Sequence, residues 1–166
     1  MGKHCILVVD DEQVILDLAA DTLKKNEYKV ITAKSGEEGL DRLVQHPVNL
    51  IVSDQRMDGI SGIEFLKIAK KKYPNIITIM LTGFAEKETA MKAVNEAGIY
   101  KFIVKPWNVM DFRNTVERAL ELQHLIMEKD MLIKKLALQK KIFQQIRKEY
   151  PDIIRPKNKT VADGQA

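Results

Sequence analysis

Cys5-Ile6-Leu7-Val8-Val9 runs directly into Asp10-Asp11-Glu12. Five consecutive apolar residues, most of them β-branched, read as a short strand buried on both faces. The abrupt change to three acids marks its carboxyl end. The same pattern recurs along the chain. Tyr28–Thr32 reads as a second strand, Leu50-Ile51-Val52-Ser53 as a third ended by Asp54, Ile76–Leu81 as a fourth followed by Thr82, and Tyr100–Val104 as a fifth followed by Lys105-Pro106.

The intervening segments carry helical spacing. Residues 12–25 place Val14, Ile15, Leu18, Ala19 and Leu23 on one face. Ser35 with Glu38 three residues on is a helix start, and that helix stops before Pro47. A loop with Gly59 and Gly62 leads to a helix ending near Tyr73-Pro74, another spans about 86–96 and ends at Gly98, and a last one opens around Asn108. Five strands alternating with five helices predict an α/β fold: a doubly wound, five-stranded parallel sheet covered on both faces. In such sheets, sites form at the carboxyl ends of the strands.

The polar residues at those ends are Asp10 and Asp11, Asp54, Thr82 and Lys105. Carboxylates converging at one point invite a hard divalent cation such as Mg²⁺, which takes oxygen ligands. A lysine and a hydroxyl beside it suit the oxygens of a phosphoryl group, and a carboxylate there can accept that group. Taken singly, each residue has a plainer reading: Asp-Asp as a helix cap, Asp54 as a loop acid, Thr82-Gly83 as a turn, Lys105 as a solvated charge. Their placement together, each at its own strand end, favours the joint reading.

Val8-Val9-Asp10-Asp11-Glu12, Ile51-Val52-Ser53-Asp54, Leu81-Thr82-Gly83 and Phe102-Ile103-Val104-Lys105-Pro106 together resemble the signature blocks of response-regulator receivers, over about residues 4–120. That resemblance implies a flavodoxin-like fold and Mg²⁺-dependent phosphorylation by a sensor histidine kinase. It implies Asp54 as phospho-acceptor, Asp11 and Asp54 as direct Mg²⁺ ligands with the backbone carbonyl of Arg56, and Asp10 as holder of metal-bound water. Lys105 would pair with the acceptor and then the phosphoryl group, Thr82 would bond a phosphoryl oxygen, and Phe102 would be the switch aromatic. The face of the fourth helix, fifth strand and fifth helix would change with it. A cis Lys105-Pro106 peptide is also implied. Such a protein is a signalling switch with at most slow self-dephosphorylation, not a dedicated enzyme. Ser53-Asp54-Gln55-Arg56-Met57 and Ile99–Trp107 resemble a subgroup often fused to HD-GYP-type or helical outputs. One departure is Asp58, where receivers usually carry proline; metal binding is expected to survive it, with altered loop dynamics. Arg56 and Phe84, two residues after Asp54 and Thr82, overlook the path of a hydrolytic water and are expected to slow dephosphorylation.

The chain of 166 residues has a formal charge of +4. Residues 121–166 hold ten basic and six acidic residues, which leaves 17 of each in residues 1–120. The basic character is therefore confined to the C-terminal quarter. No Pro or Gly interrupts residues 108–150, and forty-odd helical residues would extend roughly 60 Å. A heptad register through Leu122, Leu125, Leu132, Leu136, Phe143 and Ile146, broken by Lys129 and Gln139, predicts a coiled coil and a homodimer. The expected organisation is a receiver domain over 1–120, a helical extension over 121–150 and a polar, disordered tail over 151–166, with Pro151 and Pro156 ending the helix.

Lys134, Lys135, Lys140, Lys141, Arg147 and Lys148 form basic pairs, but no helix-turn-helix follows them, which disfavours nucleic acid as partner. A longer regulator missing its catalytic output is the other alternative. The single cysteine, Cys5, excludes an internal disulfide and is expected to be buried in its strand. No signal peptide or spanning segment is expected, so the expected location is cytoplasmic. Lys70-Lys71-Lys72 is expected to be solvated charge at a helix end.

Overall fold

A computed structural model describes residues 4–24 and 28–153. Five strands, β1 (Cys5–Val9), β2 (Lys29–Ala33), β3 (Leu50–Asp54), β4 (Ile77–Thr82) and β5 (Lys101–Val104), form one parallel sheet in the order β2-β1-β3-β4-β5. Five helices connect and follow them: α1 (Gln13–Lys24), α2 (Gly36–Gln45), α3 (Gly62–Lys72), α4 (Lys87–Ala97) and α5 (Val109–Glu149). A 3-10 turn, Phe84–Glu86, precedes α4. This is the doubly wound, flavodoxin-like arrangement. Residues 154–166 of the expected tail over 151–166, and residue 25 at the far end of the first expected helix, lie outside the described residues.

Alternation along the strands sorts the core into two layers. Leu7, Val9, Ile51 and Met80 pack with Leu43, Phe65, Leu66, Ala69 and Ala90 from α2, α3 and α4. Ile6, Val8, Leu50, Val52, Ile79 and Leu81 pack with Leu16, Ala19 and Leu23 of α1 and Phe112, Val116, Ala119 and Leu120 of α5. Each fully buried aliphatic or aromatic side chain contributes about 1.5–3 kcal/mol. Continuous burial holds for β1, β3 and β4. It does not hold for the edge strands β2 and β5, each with one neighbour in the sheet, whose Lys29 and Lys101 face solvent.

The helix starts follow local chemistry. Ser61 and Glu64 close a complete capping box on α3. Ser35 caps α2 by accepting from the Glu38 N–H, while Glu38 accepts from the Lys34 N–H instead of completing the box at Ser35. Of the three lysines ending α3, Lys70 departs from the solvated reading. Its Nζ donates to the carbonyls of Pro74 and Ile76 at 3.0 and 2.7 Å, which fastens the turn into β4. Burial lowers its pKa.

The chain divides into two compact units, residues 1–127 and 128–166. The first contains more of α5 than the heptad pattern suggests. Gln123 is buried, and Leu122 and Ile126 pack against the core layer of α1 and α5. Leu122, expected as the first seam position, is partly buried against this layer. In the second unit Leu132, Leu136 and Phe143 are all more than half exposed, and Ile146 is 42% exposed. No helix among the described residues is long and apolar enough to cross a membrane.

Candidate functional site at the carboxyl edge of the sheet

The strand order reverses between β1 and β3, which opens a crevice at their carboxyl ends. The register sets what lines it. Val9 pairs with Ser53 and Asp54 with Leu81, so Asp10 and Asp54 emerge level on adjacent strands. Thr82 pairs with Val104, which places Lys105 one residue further on. Gly62 lets α3 close against this edge. A Cβ at Gly62 would lie 1.9 Å from the carbonyl oxygen of Asp54. Gly59 turns the preceding loop with φ of 83°, a left-handed conformation suited to glycine.

Asp10 is fully buried and Asp54 is 6% exposed. Lys105 Nζ lies between them, 3.0 Å from Asp10 Oδ2 and 2.8 Å from Asp54 Oδ1. Glu12 Oε1 is 4.0 Å from the same ammonium, and the Glu12 N–H donates to Asp10 Oδ1 at 2.9 Å. Burial raises the pKa of both aspartates, opposed by Lys105. Burial lowers that of Lys105, but its hydrogen bonds to Asp54 and Asp10 outweigh this and leave it raised. One positive charge shared by two buried carboxylates leaves the cluster short of cation. Carboxylate oxygens of Asp10, Asp11 and Glu12 lie within 4.8 Å of one another. Such an all-oxygen, anionic donor set suits a hard divalent ion. A cleft of about 380 Å³ beside it is lined by Asp11, Gln55, Arg56, Met57, Asp58 and Ser61.

Of the residues expected from sequence, Asp10, Asp54 and Lys105 are in direct contact, with Asp11 beside Asp10. The Thr82 hydroxyl is buried nearby, donating to Gln55 Oε1 at 2.6 Å. Phe102 is half-buried against the layer formed with α2, α3 and α4. Phe84 is 82% exposed on the 3-10 turn, and the Arg56 side chain pairs with Glu86 at 2.6 Å. Lys105-Pro106 is cis. Sequence reasoning missed Glu12 and Gln55. Glu12 was visible as the third acid of the run after β1. Gln55 had no local signal, because its role depends on β3 pairing with β4.

Known proteins share this architecture. The chain is 42% identical over 120 residues to the hydrogenase transcriptional regulatory protein HoxA of Cupriavidus necator, covering 72% of this chain and 25% of HoxA. It spans about a quarter of the length of the curated relatives it matches. The signal receiver domain of an HD domain-containing protein from Pseudomonas fluorescens superposes with a TM-score of 0.73 at 30% identity, over 77% of this chain and 94% of that one. A response regulator receiver domain protein from Clostridium thermocellum gives 0.69 at 30% identity, over 74% and 98%. The model of the response regulator receiver domain matches residues 6–117, the greater part of the sequence. On that match and these relatives, the chain belongs to the response regulator receiver family of two-component signalling.

Proposed function

We propose that Asp54 accepts a phosphoryl group from a phosphohistidine of a sensor histidine kinase, in a Mg²⁺-dependent reaction. The observation that carries this reading is the Lys105 ammonium held between buried Asp10 and Asp54 at the point where the strand order reverses. A carboxylate oxygen of Asp54 attacks phosphorus, the P–N bond breaks, and the electron pair leaves with the imidazole. Lys105 then shares its protons with phosphoryl oxygens, and Thr82 donates its hydroxyl to one of them. Asp10, Asp11, Asp54 and the Arg56 carbonyl would hold Mg²⁺, with Glu12 near enough to join. The ion supplies charge neutralisation between acids and phosphoryl oxygens.

The added charge draws Thr82 and the loop after β4 toward Asp54 and frees space for Phe102. The face of α4, β5 and α5 changes with it. Arg56 and Phe84 tune the lifetime of the phosphorylated state by screening it from water. The protein works as a cytoplasmic switch, not as a dedicated enzyme, with residues 1–120 as its receiver and residues beyond them as its output. Leu125, Leu132, Leu136, Phe143 and Ile146 form an apolar stripe on α5 that a second copy covers as a coiled coil.

Treating the full chain and Asp54→Asn with acetyl phosphate and Mg²⁺, then measuring intact mass and sedimentation, tests both parts. One added phosphoryl group in the parent and none in Asp54→Asn is expected, with a concentration-dependent dimer. A phosphorylated Asp54→Asn removes the acceptor reading. A monomer at high micromolar concentration, with and without phosphate, removes the dimer.

A further inference from the structure

Thr82 has a single hydroxyl proton, and here that proton is already committed. Thr82 Oγ1 donates to Gln55 Oε1 at 2.6 Å, with the Gly83 carbonyl a longer second acceptor at 3.3 Å. Both side chains are buried: Thr82 is fully enclosed and Gln55 is 7% exposed. The seat of the acceptor is rigid. The Gln55 N–H donates to the Leu81 carbonyl at 2.9 Å, and its own carbonyl accepts from the Gly62 N–H at 3.0 Å. The next residue reaches the other end of the same loop, where Arg56 Nε pairs with Glu86 Oε1 at 2.6 Å. Two consecutive residues after Asp54 thus fasten both ends of the segment Thr82–Glu86.

We propose that Gln55 is a positioning residue for the switch: it holds the Thr82 hydroxyl away from Asp54, with the Arg56–Glu86 pair as a second fastening, and so sets how readily the site changes state. This rests on the reading of Asp54 as phospho-acceptor. A hydroxyl that donates to Gln55 cannot donate the same proton to a phosphoryl oxygen. Switching therefore breaks a buried hydrogen bond and strips Gln55 Oε1 of its partner. Removing that acceptor removes the resting arrangement's advantage and shifts the balance toward the switched one.

The test uses the full chain with Mg²⁺, and beryllofluoride as a non-covalent phosphoryl mimic, measured by titration calorimetry. Gln55→Met is expected to bind Mg²⁺ as the parent does and beryllofluoride about five- to ten-fold more tightly, the value of one hydrogen bond. Glu86→Gln should bind it about two-fold more tightly, as befits an ion pair at the surface. In the parent, the Gln55 side-chain amide resonances should move on adding beryllofluoride and stay in place with Mg²⁺ alone. If Gln55→Met binds beryllofluoride no more tightly than the parent, while Asp54→Asn fails to bind it, the Gln55 role falls and the acceptor reading stands. A parent that does not bind beryllofluoride overturns both. Should Gln55→Met not fold, the parent's amide resonances decide, and unmoved resonances overturn the proposal. Unchanged affinity in Glu86→Gln removes the second fastening.

Discussion

At the scale of the residue, the site is held under electrostatic tension. Asp10 and Asp54 are both buried with raised pKa values, and Lys105 is their shared cation. A carboxyl whose folded pKa is raised favours folding at low pH and loses that contribution as pH rises through the folded value. At neutral pH in the absence of Mg²⁺ these acids therefore cost stability. Asp54→Asn is expected to be more stable than the parent by on the order of 1 kcal/mol, measured by urea unfolding at pH 7 without metal. Without Mg²⁺, the stability difference between Asp54→Asn and the parent should shrink as pH falls and Asp54 takes up its proton; a difference unchanged from pH 7 to pH 4 would contradict this. Gly62 acts by its lack of a side chain. Gly62→Ala sets a methyl into the Asp54 carbonyl and should destabilise the fold by about 3 kcal/mol, read by the urea midpoint.

At the scale of the element, strands were easier to read than helix ends. Cys5–Val9 was legible residue for residue because burial on both faces leaves no polar position to blur the pattern. β2, β4 and β5 each begin one residue later than the apolar runs suggest, since an apolar run marks burial and not the first paired residue. The strand ends gave Asp10, Asp54, Thr82 and Lys105, because in a parallel sheet position along the chain becomes position on an edge. Gln55 stayed hidden, as a hydrogen bond to Thr82 across 27 residues leaves no periodic trace. Capping was half legible: Ser35 caps α2 as its spacing suggests, and Ser35→Ala should cost about 1 kcal/mol by thermal unfolding.

At the scale of the molecule, the compact unit built on the sheet runs to residue 127, past the boundary at 120 that the sequence suggests. Periodicity cannot distinguish an apolar residue covered by its own sheet from one awaiting a second chain, so Leu122 fitted both. The buried amide of Gln123 marks the difference: Asn49 Nδ2 donates to Gln123 Oε1 at 3.3 Å, while Asn49 Oδ1 accepts from the Cys5 N–H. A chain ending after residue 120 loses this link together with Leu122 and Ile126. It should be less stable than one ending after residue 127 by about 2–4 kcal/mol in urea unfolding.

The protein contains one tryptophan, Trp107, two residues beyond Lys105. Its ring stacks on Phe112 in the first turn of α5 at a centroid distance of 5.0 Å, and its indole N–H has no hydrogen-bond partner among the described residues. Tryptophan emission, excited beyond the absorption of the four tyrosines, therefore comes from a single indole, seated between the Lys105 loop and the start of α5. Its position two residues from Lys105 makes that emission a dye-free probe for changes at the acidic edge, with no background from a second indole.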